Sequence, residues 1–190
     1  MLEQLNKIKE LNLITDNKIF YSAFFSKEHL TKLFNELKNN ESLSFNQLID
    51  ITAIDHPSKE KRFELVYILL SMKQNKRVIL KTHLEENDNI DSLTEIFQAS
   101  NWYERECYDL FGIKFNNHPD LRRIMTDYNF EGFPLRKDFP LTGHTEVRYD
   151  DVEKKVVYEP VKLTQEYRDF DYTSPWEGMT KGIDDQSEQE

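Results

Sequence analysis

The sequence has little cysteine, little glycine and no long apolar run. It contains one cysteine in 190 residues, Cys107, so it cannot form an internal disulfide framework, or a multi-cysteine cluster or zinc site, by itself. The five glycines include no adjacent pair or close triplet, which excludes P-loop and dinucleotide-binding fingerprints. No apolar run approaches the roughly 20 residues of a membrane-spanning helix, and the acid-containing start MLEQLNKIKEL does not resemble a secretory or transit signal. We therefore expect a protein that is soluble or peripheral to a membrane, in a reducing compartment.

Positive charge is also scarce. The chain carries 25 Lys and Arg against 35 Asp and Glu, a formal net charge of −10. Binding to nucleic acid through phosphate neutralisation requires a basic face, so this function class is disfavoured. A length of 190 residues fits one domain with an appendage better than two domains.

The first third of the chain alternates helix and strand signals. Residues 1–13 have the spacing of a short amphipathic helix, and residues 15–17 have the composition of a turn. Residues 18–25 are rich in aromatic and β-favouring side chains, which predicts a strand. Ser26 is a predicted N-cap for a helix that ends near Asn39 and Asn40, with Leu30, Leu33, Phe34 and Leu37 as its buried stripe.

Three strands are predicted next, over residues 43–55, 62–72 and 77–85. Their short connections favour antiparallel hairpins. The second run is apolar on both faces and is expected to be internal, whereas the third alternates. A helical period then runs from Leu93 to Phe111 and stops at Gly112. The predicted fold class is α+β: a single domain with a mixed or antiparallel sheet covered by helices on one face, followed by an extended C-terminal arm.

Residues 101–143, which we call the belt, hold the densest mixture of aromatic residues, charges, prolines and glycines in the chain. Arg105 and Asp109 lie one helical turn apart, a spacing at which opposite charges meet. Asp120 is placed to cap a short helix ahead of Arg122 and Arg123. An ordinary helix end followed by a stiff loop is the simpler interpretation. The number of ion-pairing groups and the prolines, which fix the backbone in advance, favour a surface that binds another protein.

Residues 144–190 form the predicted arm, so the domain boundary is placed at 143/144. Residues 147–150 and 155–158 predict a small hairpin. Beyond it, Tyr167, Phe170, Tyr172 and Trp176 are scattered along an aperiodic segment, as expected of anchors for a partner's pockets. Residues 184–190 are acidic and predicted to be disordered.

The candidates for catalysis are weak. His118 and Asp120 resemble half of an acid/base or metal site, although His-Pro-Asp in a turn more often forms a hydrogen-bonded corner. Glu104, Glu106 and Asp109 spread around a helix, with Arg105, Arg122 and Arg123 available as salt-bridge partners, so a paired-carboxylate site is disfavoured. Cys107 lies on the apolar stripe, where a thiol behaves as a small hydrophobe. The competing hypothesis is a free-standing acid/base hydrolase that uses His118 and Asp120.

The belt also carries a specific pattern. Its motifs are ERECYDLFG at 104–112, HPDLRRI at 118–124, DY at 127–128 and PLRKDFPL at 134–141. Further matching runs are RFE at 62–64, VY at 66–67, EVRYD at 146–150, EP at 159–160 and SPW at 174–176. This pattern resembles the C subunit family, also known as the 30-kDa subunit family, of respiratory complex I, the proton-pumping NADH–quinone oxidoreductase.

Members of the family commonly have Gly where Asn129 stands and His where Phe133 stands. Asn tolerates the left-handed backbone expected at 129, whereas Phe133 argues against an essential proton role for a histidine there.

The resemblance implies a hydrophilic subunit of the peripheral arm, without a cofactor of its own. It would lie against the D subunit family protein that helps to form the quinone cavity, with the B and I subunits nearby. FMN and iron–sulfur clusters would lie in other subunits, and NADH and quinone would be substrates of the whole complex. The implied location is the cytoplasmic side of a bacterial inner membrane, or the matrix side of a mitochondrial inner membrane for an organelle-encoded copy. The residues predicted to form the partner interface are Glu104, Arg105, Glu106, Asp109, His118, Asp120, Arg122, Arg123, Asp127, Tyr128, Arg136, Lys137, Asp138, Tyr158, Tyr167 and Trp176.

Overall fold

A computed structural model describes residues 2–16 and 20–165 of the chain. The chain divides into two units, Met1–Gly143 and His144–Glu190. The first contains a five-stranded sheet in the order β1-β2-β5-β4-β3. The strands are β1 (Leu11–Asp16), β2 (Phe20–Phe25), β3 (Gln47–Asp55), β4 (Phe63–Ser71) and β5 (Lys76–Leu84).

The sheet is mixed. β2 and β5 are parallel, whereas β1–β2, β3–β4 and β4–β5 are antiparallel. The tight β3–β4 and β4–β5 connections explain the two hairpins. β4 is buried on both faces, and β5 alternates between buried and half-buried residues, as predicted. Both strands are therefore positioned as their hydrophobic patterns require.

The helices α1 (Leu2–Leu5), α2 (Leu30–Asn39) and α3 (Ser100–Phe111) contribute to one core. Leu30, Leu33, Phe34 and Leu37 of α2 are all buried, which confirms the predicted stripe. The Phe34 ring lies 5.0 Å from the Tyr67 ring of β4. The Cys107 thiol of α3 donates to the Ile51 carbonyl of β3 at 3.3 Å. Tyr67 also lies close enough to Glu104 and Cys107 of α3 for their charges to affect its hydroxyl, so α2 and α3 cover the same face of the sheet, and the α+β class is confirmed.

The predicted N-terminal helix over 1–13 is wrong. α1 ends at Leu5, turns follow it, and Leu11–Asp16 is an edge strand paired with β2. Leu5 and Ile8 still enter the core, which is why the apolar spacing resembled that of a longer helix. The predicted turn fails at Thr15 and Asp16, which are in β1. Ser26 occupies the N-cap position of a short 3-10 helix (Lys27–His29), but its hydroxyl contacts the Glu28 carboxylate instead of a backbone amide.

The predicted helix from Leu93 begins only at Ser100, and turns occupy the residues before it. Leu93 and Phe97 remain buried, so a helical spacing of core residues arises without a continuous helix. Two short parallel strands, β6 (Asn89–Asp91) and β7 (Lys114–Asn116), flank α3 and were not predicted because each has three residues. β3 also starts later than expected, since Leu43 and Phe45 are buried in turns.

In the second unit, β8 (Thr145–Asp150) and β9 (Lys155–Pro160) pair as an antiparallel hairpin, which confirms that prediction. Val147, Tyr149, Val156 and Tyr158 are exposed on it. Tyr167, Phe170, Tyr172, the motif at 174–176 and the predicted acidic end at 184–190 lie outside the described residues.

Candidate functional site

The part of the belt that follows α3 covers the C-terminal end of that helix. The last carbonyls of a helix have no partner within it, and each of the final four here receives a donor. Gly112 N–H donates to the Tyr108 carbonyl at 2.9 Å, and Leu135 N–H donates to the Leu110 carbonyl at 3.1 Å. Arginine side chains donate to the other two, Arg123 to the Asp109 carbonyl at 3.2 Å and Arg136 to the Phe111 carbonyl at 2.6 Å. Because a helix C-terminus carries partial negative charge, the two guanidinium groups are placed favourably.

Asp109 holds the middle of the belt against α3. One carboxylate oxygen accepts the backbone N–H groups of Ile124, Met125 and Thr126 at 2.9, 2.6 and 2.8 Å. The other accepts the Thr126 hydroxyl at 2.6 Å and the Arg123 guanidinium at 2.7 Å. Burial acts to raise the pKa of Asp109, but the hydrogen bonds from Thr126 and Arg123 outweigh it and hold that pKa well below its ordinary value. The carboxylate is therefore ionised wherever this loop is in place.

Arg105 and Asp109 do not pair, contrary to the prediction. Arg105 is buried and donates to the backbone carbonyls of Arg122 and Arg123, each at 3.2 Å. Its guanidinium also lies 5.6 Å from the Trp102 ring centroid. The helical spacing places Arg105 and Asp109 on one face of α3, but both side chains bind residues 122–126 instead of each other.

Glu104 and His118 meet inside the domain. Glu104 accepts the Leu93 N–H at 2.7 Å and the Ser92 hydroxyl at 2.6 Å, and its carboxylate lies 3.9 Å from His118 Nε2. Both side chains are inaccessible to solvent. Burial raises the pKa of Glu104 to about 7, against its ordinary 4.5, despite its hydrogen bonds. The arginines predicted to pair with Glu104 bind elsewhere.

The C-terminal part of the belt is fastened to the ends of β3 and β4. Arg62 binds the Asp55 carboxylate through two bonds of 2.8 and 3.0 Å and the Asp138 carboxylate at 2.9 Å. The Lys137 N–H donates to Asp55 at 2.7 Å. The hydrogen bonds from Arg62 hold the pKa of Asp55 below its ordinary value. Arg136 extends the network to Glu86 at 2.8 Å.

Phe133 packs between arginines. Its ring centroid lies 4.5 Å from the Arg136 guanidinium carbon and 5.4 Å from that of Arg123, a cation–π arrangement. Gly112 has a φ of +81°, and a Cβ there would come within 2.6 Å of the Arg136 guanidinium. Asn129 is not in the left-handed region, contrary to expectation; that backbone conformation occurs at Gly132, with φ +95°.

The structure separates the predicted interface residues by direction. Those directed into the domain are Glu104, Arg105, Asp109 and His118, while Glu106, Arg123 and Arg136 are partly buried. Those exposed on the belt are Asp120, Arg122, Asp127, Tyr128, Lys137 and Asp138, of which Asp138 also binds Arg62. Apolar side chains missed by the sequence reasoning join them: Met125, Leu135 and Leu141 are 63%, 50% and 83% exposed. We call these nine residues the outward face of the belt. Tyr158 is exposed in the hairpin, and Tyr167 and Trp176 lie outside the described residues.

The hydrolase hypothesis is not supported. The His118 side chain is buried, and its Nδ1 accepts the Asp120 N–H at 3.0 Å, which makes the hydrogen-bonded corner that was the alternative. The Asp120 carboxylate binds Arg122 at 2.8 Å, and Asp120 lies at the end of a turn, with no helix after it. Burial raises the pKa of the Cys107 thiol well above its ordinary value, so it is a poor nucleophile.

Within residues 2–16 and 20–165, no group of three or more His, Cys, Asp or Glu side chains could hold a metal ion. In the same ranges every helix is too short or too polar to cross a bilayer.

The partners Asp55, Arg62, Glu86 and Thr126 were missed as anchors of the belt. In the sequence, Arg62 stands at the start of a predicted strand and within a matching run. An arginine next to an apolar strand is a faint signal of a buried ion pair, but its partners are distant in sequence and no local spacing identifies them.

The chain is similar to known proteins of one family. A family model described as "Respiratory-chain NADH dehydrogenase, 30 Kd subunit" matches residues 24–145. The C subunit of NADH-quinone oxidoreductase from Hyphomonas neptunium is 54% identical over 83% of this chain and 78% of that protein. The corresponding C subunit from Ruegeria pomeroyi is 58% identical over 75% of this chain and 71% of that protein.

Two solved structures are similar in fold. A trypsin-resistant fragment of Nqo5, spanning residues 1–134 of that protein, is 28% identical, with a TM-score of 0.53 over 63% of this chain and 96% of the fragment. A chain of a membrane-bound sulfane sulfur reductase, an archaeal respiratory membrane complex, is 24% identical, with a TM-score of 0.64 over 74% of this chain and 84% of that one. The second likeness concerns the fold alone. With the family model covering more than half of its length and close relatives matching most of it, this chain belongs to the 30-kDa subunit family of respiratory-chain NADH dehydrogenase.

Proposed function

We propose that the chain is a structural subunit, without a cofactor of its own, of the peripheral arm of a proton-pumping NADH–quinone oxidoreductase. Its belt docks on the D subunit family partner that helps to form the quinone site. Family membership supports the assignment to the complex. The organisation of the belt supports the docking role.

One observation carries the docking proposal. The inner side chains of the belt bind the domain, whereas its outer side chains are exposed to solvent. The hydrogen bonds that hold the loop are made within the domain, by Asp109, Arg123, Arg136 and Arg62. The loop backbone is therefore fixed in the absence of a partner. Fixing a binding loop in advance removes much of the ordering cost of association. The outward face then offers Tyr128, 75% exposed, among charged and apolar neighbours. An aromatic anchor with arginine beside it is a typical composition for an interface hot spot.

In this arrangement the chain contributes shape and support while other subunits carry the redox chemistry. FMN and the iron–sulfur clusters belong to neighbouring subunits, and NADH and quinone are substrates of the whole. The neighbours are members of the D, B and I subunit families, so membrane association is indirect. The bacterial origin of the relatives supports the cytoplasmic side of a bacterial inner membrane.

Purification of the full-length tagged chain from its host membranes in mild detergent tests this function. We expect it to comigrate with NADH-oxidising, cluster-containing partners, among them a D subunit family protein. A free monomer without such partners, or one with turnover of its own, would overturn the proposal. Mass spectrometry of cross-links from the tagged chain would then report whether the outward face, or another surface, meets that partner.

A further inference from the structure

Glu104 is a buried carboxyl group that the docking role leaves unexplained. Its Oε1 accepts the Leu93 N–H at 2.7 Å and its Oε2 accepts the Ser92 hydroxyl at 2.6 Å. The side chain is fully buried. In the part of the chain that the structure describes, no Lys or Arg forms an ion pair with it. A buried carboxylate without a cation is costly, and protonation relieves that cost.

The titratable groups around Glu104 do not supply the missing positive charge. His118 approaches from the belt, with Nε2 at 3.9 Å, but its Nδ1 accepts the Asp120 N–H. The hydrogen of this neutral imidazole is therefore on Nε2, which lies 3.1 Å from the Asn101 carbonyl and donates to it. From β4 and α3 come Tyr67 and Cys107. Burial raises the pKa of both well above ordinary values, and the charge of Glu104 contributes in the same direction, so both remain neutral.

A pair of hydroxyl groups connects Glu104 to the protein surface. Ser92 Oγ binds Glu104 Oε2, and it lies 2.9 Å from Thr94 Oγ1, where either oxygen can donate. Ser92 and Thr94 are both partly exposed, so the chain of oxygens leads from the buried carboxyl to the solvent.

This hydroxyl pair satisfies both states of the carboxyl group with the same atom positions. When Glu104 is ionised, Ser92 donates to the carboxylate and Thr94 donates to Ser92. When Glu104 is protonated, it donates to Ser92, and Ser92 donates to Thr94. Each oxygen keeps an allowed number of donors and acceptors in both arrangements, since Ser92 Oγ also accepts the Thr94 N–H at 3.1 Å in each. For proton uptake, a hydronium ion gives a proton to Thr94 Oγ1, the Thr94 proton passes to Ser92 Oγ, and the Ser92 proton passes to Glu104 Oε2. Each hydroxyl forms one O–H bond and breaks one, a water molecule is left, and the reverse sequence releases the proton.

We propose that Glu104 is a proton-exchange site, which takes up and releases one proton with solvent through the hydroxyl groups of Ser92 and Thr94. The site joins three segments of the domain: α3, the segment after β6 and, through His118, the loop after β7. It does not depend on which partner the outward face binds. The raised pKa of Glu104, at about 7, sets the exchange in the neutral range.

Infrared spectroscopy of the purified full-length chain tests the site, because a protonated carboxyl group has a carbonyl band of its own. We expect a carboxyl band that disappears as the pH rises through neutrality and that shifts on transfer to D₂O. The variant Glu104→Gln is expected to lose this band. The control is Glu106→Gln, a half-buried neighbour on α3, which is expected to retain it.

Two further variants test the path itself. Ser92→Ala removes a donor to the ionised carboxylate, so the titration midpoint is expected to rise. It also breaks the path, as does Thr94→Val, and the D₂O-induced shift is expected to slow severalfold in both. If Glu104→Gln does not fold, the upward shift in Ser92→Ala identifies the band. A wild-type chain without a band that titrates near neutrality, a band that survives in Glu104→Gln, or exchange in Thr94→Val as fast as in the wild type would overturn the proposal.

Discussion

At the scale of single residues, two carboxyl groups of α3 show how environment decides ionisation. Asp109 receives backbone amides, a hydroxyl and a guanidinium, whereas Glu104 is buried with neutral donors only. Their pKa values consequently move in opposite directions. The sequence spacing predicts a salt bridge with arginine for both Glu104 and Asp109. The spacing cannot distinguish the two carboxyl groups, because the partners that decide their ionisation come from segments before and after α3.

The Glu104 site predicts how stability depends on pH. Its pKa is higher when folded, about 7, than the ordinary 4.5, so its contribution is full below the unfolded value and is lost as pH rises through the folded value. That loss amounts to about 3 kcal/mol between acidic and mildly basic solution. In Glu104→Gln we expect this component to vanish, as measured by urea unfolding of the full-length chain across that range. An unchanged pH dependence in the variant would contradict the buried, cation-free environment.

Asp109→Asn is expected to detach the centre of the belt. The NH₂ group of the asparagine side chain would face either the three backbone N–H groups or Arg123, which are donors as well. We therefore expect the free energy of unfolding to fall by about 3 kcal/mol. The wild-type contribution is present above the unfolded pKa and lost as pH falls, so the difference between the proteins narrows in acid. Limited proteolysis and urea unfolding measure this. Glu131→Gln, at an exposed belt position, serves as the control; equal effects of both substitutions would contradict the anchor.

At the scale of elements, the sequence predicted those with a strong repeating pattern and misplaced those held by tertiary contacts. The stripe of α2 and the alternation of β5 follow directly from their side chains. The start of α3 at Ser100 does not, because Leu93 and Phe97 are buried from turns, which produce a helical spacing without a helix. The end of α3 at Gly112 was predictable, since glycine alone adopts φ +81° without strain there.

Gly112→Ala is expected to destabilise both the helix end and the belt. The left-handed backbone alone costs an alanine about 1–2 kcal/mol. Its Cβ would also lie 2.6 Å from the Arg136 guanidinium and 2.7 Å from the Phe133 ring. The total loss of stability is therefore expected to exceed the cost of the backbone conformation alone. Thermal unfolding of the full-length chain measures the loss. Gly143→Ala, with φ +70° at the last belt residue, is the comparison for the backbone cost, and equal losses would mean that the packing at Gly112 adds nothing.

At the scale of the whole molecule, the core belongs to the first unit. All described members of the hydrophobic core precede residue 122. The fold class followed from the sequence because the order of strong patterns restricts the architecture. The division of the belt into an inner and an outer set did not follow, because alternate residues of an irregular loop have no period from which direction can be deduced.

A chain that ends at Gly143 is expected to keep its fold, because it retains the sheet, the three helices and the complete described core. The similar Nqo5 fragment, which resists trypsin, has a comparable extent. Circular dichroism is expected to give a cooperative transition close to that of the full-length protein. An unfolded truncated chain would mean that residues 144–190 are required for the stability of the first unit.

The central claim is that the outward face of the belt binds a partner while its inner face binds the domain. The most direct test is the amount of assembled, NADH-oxidising complex on native gels from cells that carry the double variant Arg122→Ala/Tyr128→Ala. The matched control is Met72→Ala, an exposed apolar residue in the β4–β5 turn. We expect the double variant to lose about 2 kcal/mol or more of docking energy and to assemble poorly, with the thermal stability of the purified chain unchanged. Normal assembly of the double variant would contradict the claim, and normal assembly with abolished turnover would instead place Arg122 or Tyr128 in the chemistry.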